Sequence, residues 1–199
     1  MTDTVSTGDP MPLPGDILVT RDKPFWARLI RFGAALHDQP DSWNHVVIAS
    51  HTDAMGVMWG IEGRPGGVGW VDLAPLIANR WTITNMGQPK TGEQRGQVIT
   101  IAKGLLGTPY DWAGIVKDAM EAMDIGKVWR MRDWGDTPPG HVVCSSLAAW
   151  VYNRVGLMRP GGLKSSARGI GDPTTDRAHA LRTTTPADWA EFIQLHPWN

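Results

Sequence analysis

A single cysteine, Cys144, stands in the 199 residues, and its setting makes it a candidate nucleophile. It opens the run Cys144-Ser145-Ser146-Leu147-Ala148-Ala149-Trp150-Val151-Tyr152-Asn153-Arg154-Val155-Gly156. Leu147, Ala148, Val151 and Val155 recur at helical spacing, and Gly156 is a helix stop. Pro138, Pro139 and Gly140 bar an earlier start, so the spacing predicts Cys144 in the first helical turn. Unbonded backbone N–H groups and the positive end of the helix dipole there favour a thiolate. The same N–H groups can hold a developing oxyanion. The competing reading is a small buried hydrophobe, because free cysteine is among the most buried residue types.

A thiol that attacks an acyl carbon needs a base, and the base needs a third group to fix its tautomer. His45 and Glu62 suit those roles. Ser42 to Ser50 reads as a strand rich in β-branched residues, His51 to Gly56 as a turn, and Val57 to Glu62 as the returning strand. A turn centred between Asp53 and Ala54 sets His45 directly opposite Glu62, on one face of the sheet. A slip of one residue would send Glu62 to the other face. Taken singly, His45 reads more readily as a satisfied strand histidine, and Glu62 as an exposed strand-end charge. Asp53 and Asp72 are the other carboxylates close by in sequence. His141, three residues before Cys144, is the other candidate base, but a strand–helix junction points such residues apart. His141 and Cys144 also form half a zinc pattern, without a second Cys/His pair at ligand spacing. His51 falls in the turn; His37, His179 and His196 read as surface, and Met120 and Met123 as core.

These residues need a frame. Residues 1–11 read as a polar arm ahead of a single domain over 12–199. Gly15 to Thr20 reads as a short strand after a turn, and Lys23 to Leu36 has a helical stripe through Trp26, Leu29, Ile30, Gly33 and Ala34. Gly63-Arg64-Pro65-Gly66-Gly67-Val68-Gly69 lacks the strand-to-helix setting of a phosphate cradle and reads as a connector. Trp70 to Ala78 is ambiguous, and Trp81 to Met86 reads as a strand. Thr91-Gly92-Glu93-Gln94 fits a capping box for a helix running to about Leu106. A turn at Gly107-Thr108-Pro109-Tyr110 precedes a second helix over 111–125. A loop over 127–140 leads to the cysteine helix. Residues 159–182 read as a surface excursion, and Thr185-Pro186-Ala187-Asp188-Trp189 as the start of a last helix.

Composition narrows the function classes. Apolar residues are 42% and charged residues 20%, which is the balance of a globular chain. The 19 basic and 20 acidic residues give a net charge of -1, so no basic field advertises nucleic acid. One cysteine excludes an internal disulfide. No apolar run is long enough to span a bilayer, and the N-terminus lacks the pattern of a signal peptide. The expected location is therefore the cytoplasm as synthesised, with any action outside the cell requiring delivery by another system or particle. The 11 tryptophans, spread from Trp26 to Trp198, suit core and groove positions.

The chain order then carries a resemblance. Gly15-Asp16-Ile17 is followed by Asn44-His45-Val46-Val47-Ile48, Glu62, Gly107-Thr108-Pro109-Tyr110-Asp111 and Val143-Cys144-Ser145-Ser146-Leu147. The closing Thr184-Thr185-Pro186-Ala187-Asp188-Trp189 completes the series. Together they resemble the circularly permuted NlpC-type papain-like group, which includes the YiiX-like bacterial proteins and the lecithin:retinol acyltransferase-like enzymes. The likeness spans roughly residues 12–195 and rests on order and spacing, with histidine ahead of cysteine. It implies an α+β fold whose central antiparallel sheet packs against the cysteine helix. It implies Cys144 as nucleophile, His45 as base, Glu62 in the polar third position and Tyr110 beside the substrate cleft. It implies a thiol-dependent hydrolase working through a thioester on an amide bond, with cell-wall peptide as the favoured substrate and lipid acyl groups second. No metal or organic cofactor is implied. The group commonly has Ser before the histidine, where this chain has Asn44, and the 127–140 insert is its own. A different class of function, a papain-like scaffold that binds without turnover, fits the same residues, because function lives in the site and not the fold.

Overall fold

The computed structural model describes residues 11–20, 43–78, 82–84, 89, 91–111, 142–157 and 186–195. The expected helix over 23–36 and all but the first residue of the one over 111–125 lie outside these residues. So do residues 1–10 of the arm, the 127–140 loop, the 159–182 excursion, and His37, His141, His179, His196, Met120 and Met123.

Five strands form one sheet: β1 (Ile17–Thr20), β2 (His45–Thr52), β3 (Met58–Arg64), β4 (Gly67–Asp72) and β5 (Thr82–Thr84). Their order is β4-β3-β2-β1-β5, and every neighbouring pair is antiparallel. The described helices are α1 (Ala74–Ile77), α2 (Gly92–Lys103), α3 (Cys144–Val155) and α4 (Pro186–Leu195). The class is α+β. Ile17, Val19, Val46, Ile48 and Ile61 share one buried cluster with Val98, Ala102, Leu147, Ala148, Val151 and Trp189 from α2, α3 and α4. Leu18, Val47 and Ala49 pack with Leu73, Leu76 and Ile77, at and beside α1. The central strands are thus covered on both faces. This is why Ile17-Leu18-Val19 and Val46-Val47-Ile48-Ala49 are unbroken apolar runs and not alternating ones.

Polar ties fix the helices to this sheet. Thr91 Oγ1 accepts from Gln94 N–H at 3.1 Å and Gln94 Oε1 from Thr91 N–H at 3.3 Å, the reciprocal cap expected for α2. Arg95 on α2 donates to Asp16 Oδ1 at 2.9 Å and to the Pro14 carbonyl at 2.7 Å. Burial pushes the Asp16 carboxyl above its usual range, against the hydrogen bonds from Leu13 and Arg95. Tyr152 Oη, on α3, donates to the Gly15 carbonyl at 2.7 Å. The Gly15-Asp16 pair therefore anchors two helices to the entry of β1. Trp189 on α4 is fully buried. Its Nε1 donates to the Ser145 carbonyl at 3.2 Å, and its ring meets Tyr152 edge-on at 5.4 Å. α4 thus braces the first turn of the cysteine helix.

The β2–β3 register corrects the expected one. Asp53 N–H donates to the Val57 carbonyl at 2.9 Å, so the turn is centred on Met55 and not between Asp53 and Ala54. Ala49 pairs with Gly60 and His51 with Trp59, leaving Ser50 unopposed as a β-bulge. The turn displaces the pairing by three residues and the bulge takes back one, for a net shift of two. Glu62 pairs with Val47 instead of His45. Because two is even, His45 and Glu62 still share a face, now as diagonal neighbours.

The glycine-rich stretch also differs from expectation. Gly63 and Arg64 complete β3, Pro65-Gly66 makes a tight turn, and β4 begins at Gly67. The reason lies in close approaches that composition does not reveal. A Cβ on Gly67, at φ 102°, would lie 2.8 Å from the Thr108 carbonyl oxygen. That approach lets Val68 exchange backbone hydrogen bonds of 2.9 Å with Thr108 and Gly107.

Candidate active site

Cys144 is the first residue of α3, as the run after Pro139-Gly140 predicts. Its N-cap, Val143, has no side-chain acceptor. Ser146 reaches back instead, its Oγ accepting from Val143 N–H at 3.1 Å and donating to the Val143 carbonyl at 3.1 Å. The helical hydrogen-bond ladder starts at Leu147 N–H, so the N–H groups of Cys144, Ser145 and Ser146 precede it. At the other end Gly156 closes the helix at φ 74°.

The start of α3 comes down on β3 at Gly63. A Cβ there would lie 3.2 Å from Cys144 N and 3.3 Å from Cys144 Cα. A side chain there would push the cysteine backbone away from the strand by a few tenths of an ångström. The residue before it, Glu62, lies 6% exposed. His45, the first residue of β2, is 1% exposed, and its Nε2–H donates to Glu62 Oε2 at 2.5 Å. Cys144 acts electrostatically on the same imidazole. Burial is the strongest single influence on the ring and pushes its pKa down. The interactions with Cys144 and Glu62 together outweigh burial and raise it to about 10. The balance favours the protonated ring, with the Glu62 carboxylate as its bonded counter-charge.

Tyr110 lies beside this pair. The segment 107–111 is stitched to β4 through Val68. On its other side it meets Val142 through Val142 N–H to the Pro109 carbonyl and Asp111 N–H to the Val142 carbonyl, both 3.1 Å. Tyr110 and Val142 thereby form a parallel bridge two residues ahead of Cys144. The phenol is buried, which raises its pKa far above the ordinary value, and the negative charges of Cys144, Asp111 and Glu62 raise it further. It is a neutral hydroxyl at the site.

The two other candidate carboxylates, Asp53 and Asp72, have other partners. Asp53 accepts from Met55 N–H, Val57 N–H and Trp59 Nε1–H at 2.8, 3.0 and 2.9 Å, closing the hairpin turn. Asp72 accepts from Ala74 N–H at 2.9 Å at the start of α1. His51 lies in β2 and not in the turn, exposed, with its ring edge-on to Trp70 at 5.3 Å. Among the described residues no group of three or more His, Cys, Asp or Glu is placed to hold a metal ion. Also among them, no helix is long and apolar enough to cross a membrane.

Two site residues escaped the sequence reading. Gly63 looked like part of a connector, and its role depends on a helix 81 positions later. Arg64 donates from Nη1 to Glu62 Oε1 at 3.3 Å. The signal for Arg64 was present: two residues beyond Glu62 on one strand is the same face. Neither a comparison with models of known protein families nor one with curated proteins returns a match for this chain.

Proposed function

We propose that the chain is a cysteine-dependent hydrolase of the permuted papain-like kind, cleaving an amide bond through a thioester. The observation that carries this reading is the buried His45 ring, bonded to Glu62 at 2.5 Å and acted on by Cys144, the first residue of a helix. An imidazolium beside a sulfur favours the thiolate, the form that attacks. With Nε2 engaged by Glu62, Nδ1 is the ring nitrogen available to the sulfur. The thiolate adds to the carbonyl carbon, and the oxygen takes the charge near the N–H groups of the first turn. The C–N bond breaks as His45 gives its proton to the departing amine, leaving an acyl thioester and a neutral imidazole. Water, deprotonated by that imidazole, then attacks the thioester, releasing the acid and restoring the thiolate beside a protonated ring. Glu62 keeps the ring oriented throughout. Tyr110 borders the cleft. The substrate class is the one the family resemblance favours, a cell-wall peptide, reached after delivery by another system or particle.

The decisive experiment follows iodoacetamide alkylation of Cys144 against pH in the folded protein. This reading expects rapid labelling well below the pH at which a free thiol reacts, and its loss in His45→Ala. A second reading, a binding scaffold without turnover, draws on the burial of Cys144, which is 2% exposed. It expects no labelling until the protein is unfolded. Peptidoglycan digestion and acyl-thioester probes then separate a peptide amidase from a lipid-directed thioesterase.

A further inference from the structure

We infer that Arg64 is a positioning residue for the candidate site: it holds one oxygen of Glu62 so that the other stays aimed at His45. The inference rests on the hydrolase reading above and adds to it a residue that acts through Glu62 alone.

Three observations place it. The two Glu62 oxygens are divided between two cations, Oε2 to His45 Nε2 at 2.5 Å and Oε1 to Arg64 Nη1 at 3.3 Å. A carboxylate fixed at both oxygens has lost the rotation about its last torsion that would disengage the imidazole. The guanidinium, in turn, has a seat. Gly69 on β4 lies directly opposite Glu62, and a Cβ on Gly69 would stand 3.4 Å from Arg64 Nη2 and 3.8 Å from Nε. A larger side chain at 69 would occupy the ground over which Arg64 reaches Glu62. Finally, the Arg64 side chain is 49% exposed where those of His45 and Glu62 are 1% and 8%. Arg64 is the outer member of a buried chain of charge, and the one that salt can screen.

Among the described residues, His45 from β2 and Arg64 from its own strand bond to Glu62, and the charges of Cys144, Asp111 and Glu62 meet at Tyr110. Arg64 is the permanent cation among them. Removing it makes every neighbouring anion easier to protonate, so the acid limb of Cys144 reactivity must move to higher pH.

The test measures iodoacetamide alkylation of the full chain from acid to neutral pH, at low and high salt. Arg64→Gln is expected to move the acid limb up by roughly half to one pH unit. It should also remove most of the salt dependence of the wild-type limb. Arg64→Lys keeps the charge without the fork and should recover part of the shift. Gly69→Val leaves every charge in place and displaces the guanidinium, so it should reproduce the Arg64→Gln profile. Profiles of Arg64→Gln and Gly69→Val that superimpose on wild type would overturn the inference. If His45→Ala also labels like wild type, the hydrolase reading itself has failed; if His45→Ala is silent while Arg64→Gln is unchanged, only the role of Arg64 is lost. Circular dichroism melts of each variant separate a displaced limb from an unfolded protein.

Discussion

The β2–β3 hairpin carries a carboxylate hub at each end, and the two are built differently. At the solvent-facing tip, Asp53 takes its three hydrogen bonds from residues 55, 57 and 59, all within its own turn and the strand that follows. The bond to Trp59 and those to the Val57 and Met55 amides hold its carboxyl below the usual range. At the inner end, Glu62 takes one partner 17 residues upstream, and shares it with a cysteine 82 residues downstream. The tip hub is a local turn device that any open hairpin could use. The inner hub exists only when strand, bulge and helix have all been assembled. A carboxylate fed by its neighbours reports on local structure; one fed from across the fold is a candidate for chemistry.

That contrast can be broken by substitution. The largest effect is expected at Glu62. Glu62→Gln should slow Cys144 alkylation at neutral pH by at least about tenfold, the equivalent of one pH unit in thiolate population. It should also cost about 3 kcal/mol of unfolding free energy, because the buried imidazolium loses its counter-charge. Urea titration and alkylation kinetics measure both. Next comes the pH dependence of stability. The His45 pKa rises on folding from 6.5 to about 10, so its contribution is complete below about 6.5 and is lost as pH climbs through 10. The Tm of the wild type should fall across that window, and His45→Gln should flatten the fall. Gly63→Ala ranks third. Its methyl needs the Cys144 backbone to retreat by a few tenths of an ångström, for a cost of about 1 kcal/mol and a several-fold loss of labelling rate. Asp53→Ala should be smallest: a modest drop in Tm, a looser tip by amide exchange, and a Cys144 labelling rate equal to wild type. A labelling defect in Asp53→Ala would erase the distinction between the two ends.

Much of this was readable from residue order. The limits of α3 follow from Pro138, Pro139 and Gly156, and the Thr91–Gln94 cap from its spacing, because both are decided within a few residues. The strands around His45 and Glu62 follow from their β-branched runs. The register did not. A turn centre and a bulge are each set by backbone hydrogen bonds that no side-chain pattern announces, and two odd displacements happened to combine into an even one. Gly63, Gly67 and Gly69 were misread for a related cause. Each makes room for a different neighbour: Gly63 for Cys144 and Gly67 for Thr108, both far along the chain, and Gly69 for Arg64 across the tight turn. Arg64 was legible by strand parity but was hidden inside a stretch that looked like loop.

The bulge at Ser50 has a consequence for how this hairpin can change length. Lengthening or shortening the exposed tip leaves the inner ladder intact, so insertions near Met55 should be harmless. Deleting Ser50 would instead straighten β2 and rotate everything from Ala49 back to His45 by half a turn relative to β3. The imidazole would then turn away from its carboxylate, and Val46 and Ile48 would leave the helices they pack against. One inconspicuous serine thus sets the handedness of contact on which both the interior and the thiol's surroundings depend.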